Sequence, residues 1–285
     1  MSLLVLDGVH KHFAGVRAVD GVSCALAAGE FTALIGPNGA GKSTLFGVIA
    51  GQHRADAGQV RFDGTSIVGL PPARLATRGI GRTFQSAQAF ASMTLQENVQ
   101  LALAAHAGRS HDAFARLWAV APDEALALLA RVGLREQAAR AAAGIAYSDL
   151  KRLELAIALA GHPRLLLMDE PTAGMAPAER LSLMDLVREL AAREAITVLF
   201  TEHSMDVVFK FARRILVLSR GKLIADGERV VRGGADHRSR QRQQTAEQHH
   251  DERVERLRDR GHVGKDAALV EGVERAGASR AARSA

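Results

Sequence analysis

The chain has 285 residues, is 47% hydrophobic and 24% charged, and carries a formal net charge of +6, which suits a soluble globular protein with a sizeable core. Its one cysteine, Cys24, excludes an internal disulfide framework, fits a reducing compartment and is expected to be a small buried apolar residue. The start "MSLLVLDGVHKHF" lacks a signal-peptide pattern, and no run approaches the ~18–20 apolar residues of a membrane helix, so any membrane connection is expected to pass through a partner.

Residues 1–85 read as strands and turns leading into one helix. "EFTALIG" is a short apolar run ending in glycine, and "KSTLFGVIAG" after it has helical spacing and a closing glycine. Residues 86–160 change character: "LQENVQLALAAHA", "DEALALLARVGL" and "LKRLELAIALA" are rich in Ala and Leu at helical spacing. From residue 164 the apolar runs "RLLLMD", "ITVLFTEH" and "RILVLSRG" alternate with the helical "PAERLSLMDLVRELAARE". Such alternation predicts an α/β fold with a mainly parallel sheet covered on both faces, interrupted by a helical insert over 86–160.

Two motifs place chemistry on this frame. "GPNGAGKST" (36–44) matches G-x-x-x-x-G-K-[S/T] between a predicted strand and a predicted helix, the context that makes a phosphate loop. Glycines there let backbone N–H groups close around phosphate oxygens, and the helix N-terminus adds partial positive charge. The expected nucleotide-binding positions are Gly36, Asn38, Gly39, Ala40, Gly41, Lys42, Ser43 and Thr44, with Lys42 reaching the β- and γ-phosphates of ATP and Ser43 ligating Mg²⁺. "RLLLMDE" ends an apolar strand on two acids. Asp169 can hold Mg²⁺ through water at the same sheet edge, and Glu170 can polarise an attacking water as general base.

With these motifs in order, residues 3–228 resemble the ATP-binding subunits of ABC transporters, most closely those of branched-chain amino acid importers. The fold so implied is that of a P-loop NTPase of RecA-like type, with an N-terminal antiparallel β part and an inserted helical subdomain at 86–160. In "KHFAGVRAV", Phe13 occupies the adenine-stacking position, although a lone aromatic is also an ordinary core residue. "GRTFQ" followed by "MTLQENV" places Gln85 as the glutamine that senses Mg²⁺ and water and meets the membrane subunit. "LFTEHSMDVV" places His203 as the histidine that contacts the γ-phosphate. The resemblance also implies a head-to-tail dimer of two such subunits, in which each nucleotide meets the phosphate loop of one chain and a signature pentapeptide of the other.

In this chain the signature is "IAYSD" (145–149) where the family has Leu-Ser-Gly-Gly-Gln. Ala146 lacks the hydroxyl that binds the partner's γ-phosphate, a hydrogen bond to charge of about 1.5–3 kcal/mol. Tyr147 is familiar in this importer branch. Ser148 fills a glycine position where the backbone approaches phosphate, and Asp149 brings negative charge unless it caps the helix that follows. Ser148 or Asp149 is the expected N-cap. In "PTAGMAP", Ala176 stands where the family commonly has Asp or Asn. The site on this chain's own Lys42 is thus expected to be complete and its contribution to a partner's site degraded, which favours a heterodimer.

The last 57 residues, 229–285, hold 13 Lys+Arg against 9 Asp+Glu and no Ile, Phe, Met, Trp, Tyr or Pro, whereas residues 1–228 hold 24 against 22. The body is therefore nearly neutral, with no nucleic-acid footprint. The tail lacks the apolar density for a core and is expected to be disordered. It is either a basic tail that touches anionic lipid or nucleic acid, or the product of a shifted reading frame; the absence of any hydrophobic period favours the second.

The function implied is an Mg²⁺-dependent ATPase subunit, peripheral to the cytoplasmic side of the membrane through permease subunits. A solute-binding protein would serve it indirectly, and nucleic acid is not expected as a partner. Branched-chain amino acids lead as solute, with urea or a short amide as alternatives. A soluble ABC ATPase acting on nucleic acid or ribosomes is the rival class, and a catalytically weak regulatory subunit a third. One ATPase half without a heptad run argues against the rival, and intact Lys42, Asp169, Glu170 and His203 argue against the third.

Overall fold

Alternation along the first strand sets the inner face of an antiparallel sheet. In the computed structural model, which describes residues 2–83, 89–108 and 121–228, β1 (Ser2–Phe13) buries Leu4 and Leu6 and, after a register shift, Val9, as a bulge moves the inward phase by one residue. β2 (Val16–Ala27) pairs with one edge of β1, β4 (Ala57–Phe62) with the other, and β5 (Thr65–Ser66) with β4.

The second sheet has the order β10-β9-β3-β8-β7-β6. Its strands are β3 (Phe31–Ile35), β6 (Ile80–Thr83), β7 (Leu165–Asp169), β8 (Thr197–Thr201), β9 (Arg214–Ser219) and β10 (Lys222–Glu228). Every pairing is parallel except the β9–β10 hairpin. β3, β7 and β8 are buried at every residue, the environment that near-continuous apolar runs need. The mainly parallel α/β fold expected from the sequence is the fold observed.

Helix α1 (Lys42–Ile49) follows β3, and α2 (Pro72–Ala76) precedes β6. α3 (Leu95–His106), α4 (Pro122–Arg131) and α5 (Tyr147–Leu159) all fall between β6 and β7, which are direct parallel neighbours. The chain thus leaves the sheet after β6, forms these α-helices among its described residues and returns one strand over. α6 (Pro177–Glu194) connects β7 to β8, and α7 (Met205–Phe211) connects β8 to β9. One apolar cluster spans α1 and both sheets: it holds Leu45, Phe46 and Ile49 of α1, Leu4 and Leu26 of the antiparallel sheet and Leu167, Leu199 and Leu218 of the parallel one. All described residues belong to one compact unit; Gln85 and the tail 229–285 lie outside the described residues. Cys24 is partly buried against the core cluster, and burial pushes its thiol up to about 12, so it is an unreactive packing residue.

The start of α3 is fixed locally. Thr94 Oγ1 accepts the Glu97 N–H at 3.1 Å while Glu97 Oε2 accepts the Thr94 N–H at 2.8 Å, a complete capping box. The Thr94 N–H, then the Thr94 hydroxyl, hold the Glu97 carboxyl below its usual value. That stabilisation is fully present above the ordinary carboxylate range and is lost as pH falls through the lowered value. Thr94→Ala is therefore expected to cost about 1 kcal/mol, a fall of about 2–4 °C in Tm. Thermal melts of the full chain check this, and the deficit should shrink in acid.

Candidate functional site

Six residues, Gly36–Gly41, lead from the end of β3 into α1. Two of their glycines are demanded by neighbouring backbone. A Cβ on Gly36 would lie 2.1 Å from the Leu218 carbonyl oxygen in β9, and one on Gly41 (φ +102°) 2.1 Å from that of Ala18 in β2. The loop is thereby held between the two sheets, and Gly221 N–H donates to Ala40 O at 2.9 Å. Lys42 is buried, its Nζ donating to Gly36 O at 2.7 Å and Pro37 O at 3.1 Å. Burial lowers the Lys42 pKa, with Glu170 and Asp169 opposing the shift. A buried ammonium enclosed by a loop at a helix N-terminus suits a polyanionic phosphate chain.

The carboxyl ends of β7 and β8 bring the acids to the same edge of the sheet, where ligands bind in open parallel sheets. Asp169 is buried; its Oδ1 accepts from Thr201 Oγ1 at 2.7 Å, and its Oδ2 lies 3.5 Å from Arg82 Nη2. Burial lowers the pKa of Arg82, with Asp169 opposing. Glu170 has φ +49°, a left-handed conformation costing an L-residue roughly 1–2 kcal/mol. Its N–H donates to Thr201 Oγ1 at 2.9 Å, and its Oε1 lies 2.9 Å from His203 Nε2. One threonine hydroxyl thus orients both acids. Glu170 and His203 also line a cavity of about 250 Å³ with Thr172, Arg180 and Glu202.

Phe13 stands at the end of β1, 42% exposed, with its ring edge-on to His53 at 5.2 Å. Lys11 Nζ lies over the same ring, 5.2 Å from its centroid. Among the described residues no hydrogen bond or ion pair joins Phe13 or residues 146–149 to the phosphate loop.

At the signature the expected N-cap is corrected. Ala146 is the N-cap, extended at φ −64°, ψ 154°, and Tyr147 already begins α5, without a side-chain cap. Ser148 and Asp149 are inside the first turn. Asp149 Oδ2 accepts from Gln137 Nε2 at 3.0 Å, and an acid in the first turn remains favourable to the helix dipole. The Tyr147 hydroxyl donates to Ala173 O at 3.2 Å, and its ring lies beside Gly174. The segment is thus tied to the loop after Glu170 within its own chain. Ala176 is the N-cap of α6; its N–H donates to Glu179 Oε2 at 3.3 Å, and its methyl side chain offers no acceptor in return.

Sequence inspection singled out neither Thr201 nor Glu202. Both lie in "FTEH", where a strand that is apolar elsewhere ends on a buried Thr and a buried Glu. Buried polar residues beside a candidate histidine were the available signal.

Residues 19–173 match the family model described as "ABC transporter". The high-affinity branched-chain amino acid transport ATP-binding protein BraF of Pseudomonas aeruginosa is 36% identical over 232 residues, 79% of this chain and 91% of that protein. The ADP conformation of an ATP-binding cassette of an ABC transporter aligns with TM-score 0.72 and 34% identity over 80% of this chain and 92% of that one. A dimeric post-hydrolysis cassette bound to ADP and Pi aligns with TM-score 0.68 and 26% identity over 81% of this chain and 100% of that one. With its phosphate loop, sheet order and inserted helices, the chain belongs to the ABC transporter family, as an ATP-binding, ATP-hydrolysing subunit with the P-loop NTPase fold.

Proposed function

We propose that this subunit drives the uptake of branched-chain amino acids, docked on membrane-spanning permease subunits at the cytoplasmic face and served indirectly by a solute-binding protein. Support for the solute comes from the named activity of the P. aeruginosa relative. No helix among the described residues is long and apolar enough to cross a membrane; in this reading the membrane attachment is the docking on the permease. The single observation that carries the catalytic reading is the convergence of the Lys42 loop, Asp169 and the Glu170–His203 pair at the carboxyl ends of β3, β7 and β8.

In this reading Phe13 stacks on adenine, and Lys42 with the amides of Gly39, Gly41 and Ser43 holds the β- and γ-phosphates. Ser43, with Gln85, would hold Mg²⁺, and Asp169 would hold it through water. Hydroxyl, amide and carboxylate oxygens are the hard donors that Mg²⁺ takes, with water and phosphate completing its shell. When bound, Mg²⁺ neutralises charge on the β- and γ-oxygens. Glu170 takes a proton as water attacks the γ-phosphorus, and the bond to the β–γ bridging oxygen breaks to leave ADP and phosphate. His203, held against Glu170 at 2.9 Å, orients that carboxylate and meets the γ-phosphate.

The dimer is head-to-tail and unequal. This chain's own site has its full set of groups, while the segment Ala146–Asp149 that it offers the partner's nucleotide lacks the hydroxyl and one glycine. Assays with one mutated and one unmodified subunit test this arrangement. Ser148→Gly is expected to raise turnover only at the partner's site, whereas Glu170→Gln is expected to remove most turnover at this chain's own. Equal effects of both substitutions on both sites would exclude the asymmetry.

A further inference from the structure

We infer that Glu202 is a positioning residue: its buried carboxylate clamps the loop after β7 to the loop after β8 and so holds Glu170 and His203 in register. The inference rests on the catalytic roles proposed above for that pair. Glu202 is 4% exposed. Oε1 accepts the Thr172 N–H at 3.0 Å and the Thr172 hydroxyl at 2.5 Å. Oε2 accepts the His203 N–H at 3.2 Å and faces the Ser204 N–H at 3.5 Å. Each oxygen serves one loop. Thr172 is two residues after Glu170, and His203 is the next residue after Glu202.

Neither loop is held there by sheet pairing. The β7–β8 ladder ends at Asp169 opposite Thr201, and beyond it the two loops are joined by the side-chain bonds of Thr201 and Glu202. Glu170 is also left-handed at φ +49°, a conformation that persists only where surrounding bonds fix it. Thr201 secures its N–H, and Glu202 secures the chain two residues later. A buried carboxylate is costly unless its lone pairs are used, and here both oxygens are used on the two loops that carry the reacting groups. Glutamine in this place keeps the size but turns one acceptor into a donor facing N–H groups. Either orientation of the amide breaks one of the two attachments.

The test compares Glu202→Gln, Glu202→Asp, Glu170→Gln and the Glu202→Gln/Glu170→Gln double variant in the full chain, with its transporter subunits for ATPase measurements. Hydrogen exchange of the nucleotide-free chain supplies a readout independent of activity. Glu202→Gln is expected to exchange about ten- to a hundredfold faster at the amides of Thr172 and Glu170, with β3 unchanged, since hydrogen bonds to charge are lost. Its kcat should fall at least about tenfold with KM for ATP within about twofold, since misplacement of the reacting groups spares ground-state binding. Glu202→Asp should recover part of the loss, and the double variant should be no slower than Glu170→Gln alone. Unchanged local exchange, an equal rise in exchange across β3, or a kcat loss that multiplies with that of Glu170→Gln would overturn the clamp. If Glu170→Gln itself retains full turnover, the catalytic assignment fails; if it is inactive while Glu202→Gln is normal, only the clamp fails.

Discussion

Glu170→Gln is expected to lower turnover at this chain's own site by about a hundredfold or more, within the range that general acid–base catalysis contributes, while ATP still binds. The amide has nearly the shape of the carboxylate, and the Glu170 N–H still reaches Thr201 at 2.9 Å. The strained backbone and the phosphate loop are thus preserved. What disappears is the group proposed to accept a proton from water. Single-turnover hydrolysis measured beside equilibrium nucleotide binding checks this: a large rate loss with unchanged affinity is the expected pair of results. A matching loss of affinity would mean that Glu170 acts through the fold, and an unchanged rate would remove it from the chemistry. His203→Ala should show a smaller loss, because it removes the partner 2.9 Å from Glu170 Oε1 but leaves the base itself.

Gly41→Ala should be far more damaging to the phosphate loop than Gly39→Ala. Gly39 (φ +78°) and Gly41 (φ +102°) are both left-handed, so alanine at either suffers the left-handed penalty of roughly 1–2 kcal/mol. Nothing lies within 4 Å of a Cβ at Gly39, whereas one at Gly41 would sit 2.1 Å from the Ala18 carbonyl oxygen. The second case requires β2 or the loop to move, and the loop carries Lys42 immediately after. Gly39→Ala is accordingly expected to lower stability modestly and to keep measurable ATP affinity. Gly41→Ala is expected to lose both, with ATP affinity falling at least about a hundredfold. That corresponds to roughly 2.8 kcal/mol at about 1.4 kcal/mol per decade. Urea unfolding and nucleotide titration of the two variants side by side separate close approach from backbone conformation. Equal behaviour of the two would show that the contact with Ala18 is easily relieved.

The sequence by itself determined the class of fold and the principal chemistry. Apolar runs such as "RLLLMD" and "ITVLF" declare buried parallel strands through composition alone, since both faces must be covered. G-x-x-x-x-G-K-S declares a phosphate loop because its spacing is local, needing only the strand before and the helix after. Asp169, Glu170 and His203 were legible because each ends or follows a strand that the hydrophobic pattern delimits. The start of α5 was not. Ser148 and Asp149 have better capping side chains than Ala146, yet Ala146 is the cap. Packing of Tyr147 on Ala173 and Gly174 and the bond from Gln137 to Asp149 select the register. These partners lie 12 and 26 residues away in the chain, beyond what local propensity weighs. Only the tertiary structure decided why Gly36 and Gly41 must be glycine, because the carbonyl oxygens that exclude a Cβ belong to β9 and β2. It alone also placed Thr201 and Glu202 between the loops. A buried hydroxyl or carboxylate takes its meaning from the donors and acceptors around it, and those meet only when β7 and β8 pair.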